Sequence, residues 1–186
     1  MSTTVPLAAE MTPDNPPDLE ILFDAATVSG RVAELGRQIG QQIGAEDPLL
    51  IGLLEGSLIF LSDLVRAIPA PIRFELIQVH SGVDSGVLRI EYPIPVDIAG
   101  QSIVVVKDVV ASGVTEPYLG QQLRDHGARQ VRFAALVDLP DDRKTDFRPD
   151  YAAFSTSRRG VLAGYGLKHG GRYGNLPGIG RVRGTE

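Results

Sequence analysis

Val104-Val105-Val106-Lys107-Asp108-Val109-Val110-Ala111-Ser112-Gly113-Val114-Thr115 is the stretch that decides the fold. Ile103–Val110 is the most hydrophobic run of the chain and reads as a central parallel strand, buried on both faces. The run breaks at Ala111-Ser112-Gly113. A helix is predicted to follow, with Thr115 as its N-cap and Pro117 in its first turn. Unpaired backbone N–H groups and the positive end of the helix dipole point into such a turn, and the Ser112 and Thr115 hydroxyls add hydrogen bonds. Ala111, Ser112, Gly113, Val114 and Thr115 therefore form a candidate cradle for a phosphate monoester. The spacing is not that of a Walker A loop, which needs a second Gly and a Lys-Ser/Thr pair, nor of GxGxxG. A plain strand–turn–helix without a ligand fits the same letters, and both readings stay open.

Outward from that segment, strands and helices alternate. Upstream, Val28, Val32, Leu35, Ile39 and Ile43 form one helical stripe that Asp24 can cap and that Gly44 and Pro48 stop. Leu49–Leu54 is a short apolar strand, and a helix over roughly Leu58–Ile68 follows Glu55-Gly56-Ser57. Ile72–Val79 and Val87–Tyr92 read as a strand and its return. Gly82 and Gly86 frame a polar loop, Ser81–Gly86, that should be mobile. Downstream, Gly127 ends the third helix and Val131–Val137 is another buried strand. Asp138–Asp150 reads as a surface connection and Asp141-Asp142-Arg143-Lys144 as a solvated turn. Tyr151–Phe154 and Val161–Gly164 are short strand candidates, and the last twenty residues show no periodicity. The fold class expected is α/β, a doubly wound parallel sheet with flanking helices and ligands at the C-terminal strand ends.

Composition narrows the function. The 186 residues suit one full-sized domain, expected over 19–186, behind a loosely docked leader, 1–18, with four Pro. Without cysteine there is no disulfide, iron–sulfur or cysteine–zinc chemistry, and the isolated His80, His126 and His169 make a histidine metal site improbable. His126, beside Gly127, reads as a C-terminal helix partner. No signal pattern or long apolar run is evident, so a soluble cytoplasmic protein away from the membrane is expected. The net charge of −5 disfavours general nucleic-acid binding. It is nevertheless uneven. Residues 151–186 hold Arg158, Arg159, Lys168, Arg172, Arg181 and Arg183 against Glu186 alone, which reads either as a solvated basic tail or as an anion site.

Several motifs together resemble the hypoxanthine–guanine phosphoribosyltransferases, type I enzymes that join a purine to phosphoribosyl pyrophosphate. Ile51-Gly52-Leu53-Leu54-Glu55-Gly56-Ser57, with Asp63-Leu64-Val65-Arg66-Ala67, resembles the pyrophosphate loop and its helix. Val104–Thr115 resembles the ribose-phosphate signature, and Gly164-Tyr165-Gly166-Leu167 and Asn175-Leu176-Pro177 resemble C-terminal elements. The resemblance covers about residues 19–180. It implies a type I phosphoribosyltransferase-like sheet with a small C-terminal hood, and a homodimer or homotetramer.

The same resemblance marks six changed positions. Lys107 stands where the family has the first of two acids that face the ribose hydroxyls and magnesium, while Asp108 keeps the second. Ala111 replaces the Asp that handles the purine N7 proton, and an alanine methyl moves no proton. Glu55, beside Gly56, takes the place of a pyrophosphate-loop Lys. Lys168 replaces an Asp that binds a second magnesium, and Gly174 replaces an Arg that contacts pyrophosphate. The mobile loop offers His80-Ser81-Gly82 in place of Ser-Tyr. Arg159 is a counterpart of the purine-reading Lys only with one residue inserted near Gly160, and Val161 or Leu162 would stack on a bound ring. Ser112, Gly113 and Thr115 match.

Three functions are compatible with these letters. The first is a repurposed enzyme that binds a phosphorylated sugar, nucleotide or similar small anion. Lys107, Asp108 and Lys168 would carry its chemistry, His169 is a further proton carrier, and no metal or other cofactor is expected. The second is a non-catalytic nucleotide-binding regulator. The third is a weakly active, Mg2+-dependent hypoxanthine–guanine phosphoribosyltransferase. Solvated replacement lysines in an inactive site are the bland alternative to the first.

Overall fold

A computed structural model describes residues 19–81, 88–91, 97–157 and 160–184. The expectations for the leader 1–18, for Gly82–Gly86 and for Arg158 and Arg159 lie outside the described residues. The elements are β1 (Leu19–Phe23), α1 (Ala25–Ile43), β2 (Leu49–Leu54), α2 (Leu58–Ala67), β3 (Arg73–Ser81) and β4 (Leu88–Glu91). They continue with β5 (Ser102–Val110), α3 (Thr115–Asp125), β6 (Gln130–Asp138), β7 (Tyr151–Ser155), β8 (Leu162–Ala163) and β9 (Ile179–Val182). No helix among the described residues is long and apolar enough to cross a membrane.

The chain separates into two compact units, one of Ser29–Arg158 and one of Met1–Val28 with Arg159–Glu186. The larger holds a six-stranded sheet in the order β4-β3-β2-β5-β6-β7. The β3, β2, β5, β6 and β7 neighbours are parallel, and only β4 returns antiparallel. That is the α/β architecture expected, with β5 at its centre.

Period-two alternation assigns the faces of β5. Ile103 and Val105 join Leu49, Ile51, Leu119, Leu123 and Phe133 in one buried cluster, which places α3 on that face. On β2 the opposite face meets α2, since a Cβ added to Gly52 would come within 2.7 Å of Leu61. Only a bare Cα lets that helix approach so closely. α1 lies against the end of α2 in the same way, because Gly36 leaves room for Ala67 and Gly40 for Pro69. Its stripe Val28, Val32, Leu35, Ile39 and Ile43 is fully buried, and Asp24 Oδ1 accepts the Thr27 N–H at 2.7 Å as an N-cap does.

In the smaller unit β1, β9 and β8 form an antiparallel sheet. It has its own core of Leu19, Ala163, Leu176 and Val182, with Ile21, Val161 and Tyr173 packed on it. The hood-like element therefore draws its first strand from residues 19–23, a strand the aperiodic flanks did not reveal. Segment 164–176 folds back on itself: Tyr165 N–H donates to the Leu176 carbonyl at 2.7 Å and Gly166 N–H to the Gly174 carbonyl at 2.8 Å.

Candidate functional site

At the C-terminal end of β5 the chain turns at Gly113, whose φ of +70° suits only glycine without strain. The turn falls where the sequence suggested, but the helix begins one residue earlier. Val114 already has helical angles, so Thr115 is the first helical residue and not the N-cap, and no side chain caps α3. The N–H groups of the first helical turn have no intrahelical acceptor. Ser112 Oγ lies 3.4 Å from the Val114 nitrogen, and Val114 itself is exposed. The loop is thus an open helix N-terminus, with geometry compatible with an anion.

The loop is held from beneath. Its carbonyls are already occupied: the Lys144 N–H donates to Ser112 O at 2.8 Å, and the Thr145 hydroxyl donates to Gly113 O at 2.7 Å. Of the solvated turn expected at Asp141–Lys144, Asp141 and Lys144 are exposed, but Arg143 is not. Arg143 is only 12% exposed, is ion-paired to Asp138, and packs so closely that a Cβ on Gly113 would meet its Cδ at 2.7 Å. Downstream the segment is anchored by Phe147, stacked edge-on against Phe133 at 5.2 Å, and by Asp150, which accepts the Phe133 N–H at 2.7 Å. The connection is therefore a support for residues 112–113, and the charged letters hid it.

Lys107 and Asp108 point to opposite faces of β5. Asp108 turns toward the residues that follow β2: a Cβ on Gly56 would lie 2.6 Å from the Asp108 carboxyl carbon. One of its oxygens accepts the Val109 N–H at 2.8 Å. The Glu55-Gly56-Ser57 turn begins with a cis Leu54–Glu55 peptide and is closed by Ser57, fully buried, whose hydroxyl donates to Leu53 O at 2.7 Å. Asp108 and Gly56 are thus brought together.

Lys107 extends along the α3 face and forms an ion pair with Glu116. Glu116 is 97% buried as a side chain by its 3% exposure, and its second oxygen, Oε2, accepts no hydrogen bond among the described residues. Glu116 was not singled out from the sequence. The signal was present: Glu116, Leu119 and Leu123 are spaced i, i+3, i+7 and form the buried stripe of α3. Lys107 continues the stripe Ile103–Val105 on the facing strand, so the two charges end one apolar interface.

The magnesium that the resemblance implies would find a reduced set of carboxylates here. Of the two acid positions only Asp108 is a carboxylate, and the ammonium of Lys107 is paired with Glu116. Among the described residues no group of three or more His, Asp or Glu side chains is placed to hold a metal ion.

In the smaller unit, Lys168 is exposed, and a Cβ on Gly174 would lie 3.1 Å from its Cγ. The lysine stem therefore runs over the bare Gly174 Cα. Val161 packs on the unit's core and Leu162 lies on β8, half-buried, while Arg159 is outside the described residues. Leu176, Pro177 and Gly178 line a cavity with Ile21, Asp24, Ala25 and Ala26. His126 Nδ1 sits 2.7 Å from the Gln122 carbonyl at the end of α3, a structural helix contact as expected.

Comparison with known proteins agrees with this architecture. The phosphoribosyl transferase domain model matches residues 19–168. The chain is 36% identical over 192 residues to the hypoxanthine-guanine phosphoribosyltransferase of Mycobacterium avium, covering 95% of this chain and 94% of that one. It is 32% identical over 171 residues to the enzyme of the same name from Bacillus subtilis, covering 89% and 94%. Among solved structures, a hypoxanthine-guanine phosphoribosyltransferase from Bacillus anthracis superposes with a TM-score of 0.80 at 30% identity, covering 88% of this chain and 97% of that one.

Proposed function

The chain belongs to the hypoxanthine-guanine phosphoribosyltransferase family, and on that premise we propose that it transfers a phosphoribosyl group between pyrophosphate and hypoxanthine or guanine, at a low rate. The observation that carries this reading is the loop Ala111–Thr115, open at the α3 N-terminus and braced from below by Lys144 and Thr145. Its first-turn N–H groups and the hydroxyls of Ser112 and Thr115 hold the 5-phosphate. Asp108, beside Gly56, accepts hydrogen bonds from the ribose hydroxyls. The rate is low because Ala111 offers no group to handle a proton on the base, and because Glu55 brings a negative charge to the pyrophosphate side. Each such loss is worth about 10²–10⁴-fold in rate. The assay is formation of the purine nucleoside monophosphate from phosphoribosyl pyrophosphate and either base, with and without magnesium. Slow, enzyme-dependent product is expected. No product with either base, from protein that still binds ribose 5-phosphate, overturns it.

A second reading is favoured by the ion pair that Lys107 makes with Glu116 and by the Lys168 stem lying over Gly174. Lysines held in place in this way suit a site repurposed for another phosphorylated sugar, nucleotide or small anion, with Lys107, Asp108 and Lys168 carrying its chemistry. A homodimer or homotetramer is part of either proposal, and sedimentation tests it.

A further inference from the structure

We propose that Glu116 is a positioning residue: its carboxylate holds the Lys107 ammonium beside the phosphate loop, so that the site presents a fixed protein cation to its ligand and binds it without a divalent metal. The inference rests on the reading that residues 112–115 hold a phosphate.

Three observations carry it. First, the pair is asymmetric. Glu116 is the deep member at 3% side-chain exposure and Lys107 the outer one at 21%, so the cation faces outward and the anion inward. Second, Glu116 follows Thr115 directly, which puts the ammonium it holds within the first turn of the helix whose N-terminus forms the loop. An ammonium donates three hydrogen bonds, and Glu116 Oε1 takes one. Third, stability does not explain the pair. A buried ion pair is commonly matched or exceeded by an apolar pair of the same volume, and here it leaves Glu116 Oε2 without a donor among the described residues. The rest of the same interface, Ile103 and Val105 against Leu119 and Leu123, is purely apolar. The reduced set of carboxylates at Lys107–Asp108 fits a fixed cation.

The test titrates ribose 5-phosphate calorimetrically into wild type, Glu116→Gln, Lys107→Met with Glu116→Met, and the reversed pair Lys107→Glu with Glu116→Lys. Each is measured in EDTA and in magnesium, and thermal unfolding is recorded in parallel. Wild type is expected to bind equally in EDTA and magnesium. Glu116→Gln, which frees the ammonium, should weaken binding about three- to tenfold. The Met–Met variant should unfold at or above the wild-type temperature yet bind at least about tenfold more weakly. The reversed pair should keep wild-type stability without regaining affinity, which a merely structural ion pair would not predict. Wild-type affinity in the folded Met–Met variant overturns the proposal, and so does wild-type binding that requires magnesium, although the phosphate reading then stands. No binding by wild type in either condition overturns both.

Discussion

The carboxylate of Asp108, at the end of β5, lies directly against the α-carbon of Gly56, in the turn after β2. Two motifs about fifty residues apart in the chain meet there with no room for a β-carbon between them. Gly56→Ala should therefore push Asp108 out of place, weakening ribose 5-phosphate binding at least about tenfold and costing about 1–3 kcal/mol of stability. Gly30→Ala is the control: nothing lies within 4 Å of an added Cβ at that exposed position of α1. It should leave affinity unchanged and stabilise by up to about 1 kcal/mol. Calorimetry and urea unfolding of both variants check the pair.

The brace under the loop gives a second expectation. Thr145→Val removes the hydroxyl that donates to Gly113 O at 2.7 Å while keeping the volume. A loss of about 1 kcal/mol in stability and a several-fold weaker phosphate affinity should result. Gly113→Ala should be worse, because a positive φ and contacts with Arg143 and Thr145 act together. Unfolding curves with and without saturating ribose 5-phosphate separate the two effects.

Ala111 sets a third. Lacking any proton-handling group, it should limit transfer to a purine, and Ala111→Asp should raise nucleoside monophosphate formation about 10²- to 10⁴-fold with little change in ribose 5-phosphate affinity. An unchanged rate would place the limitation elsewhere, at Glu55 or Lys168.

The opposite end of the sheet supplies a pH dependence. Glu46 accepts from the Ser102 hydroxyl at 2.6 Å and pairs with Arg132 and Arg129. The Ser102 hydrogen bond first, then Arg132, holds its carboxyl below the ordinary range. A carboxyl depressed in the folded state contributes stability above its unfolded pKa, and loses it as pH falls through the folded value. Ser102→Ala should cost about 1–2 kcal/mol at neutral pH. The deficit should shrink in acid, below the ordinary carboxylate range. Urea midpoints across pH test this, and a deficit independent of pH would contradict it.

The parallel sheet was legible because its strands are continuous apolar runs and its helices carry full stripes, as Ile103–Val110 and Val28–Ile43 show. β1 and β9 were not. Each is four or five residues long, and Leu19 meets its partner Val182 only across nearly the whole chain. The phosphate loop was legible from local chemistry, but what braces it was not, since Thr145 and Arg143 reach Gly113 through tertiary packing that charged letters conceal. Lys107 looked like a free cation. Its partner is nine residues on and on another element, and only facing stripes reveal it.

The most direct measurement of the central claim is titration of ribose 5-phosphate into wild type and into the Ser112→Ala, Thr115→Val double variant. With two hydroxyl donors to a charged phosphate removed, the account predicts binding by wild type and at least about tenfold weaker binding by the variant, at unchanged fold. Equal affinities, or no binding by wild type, would contradict it.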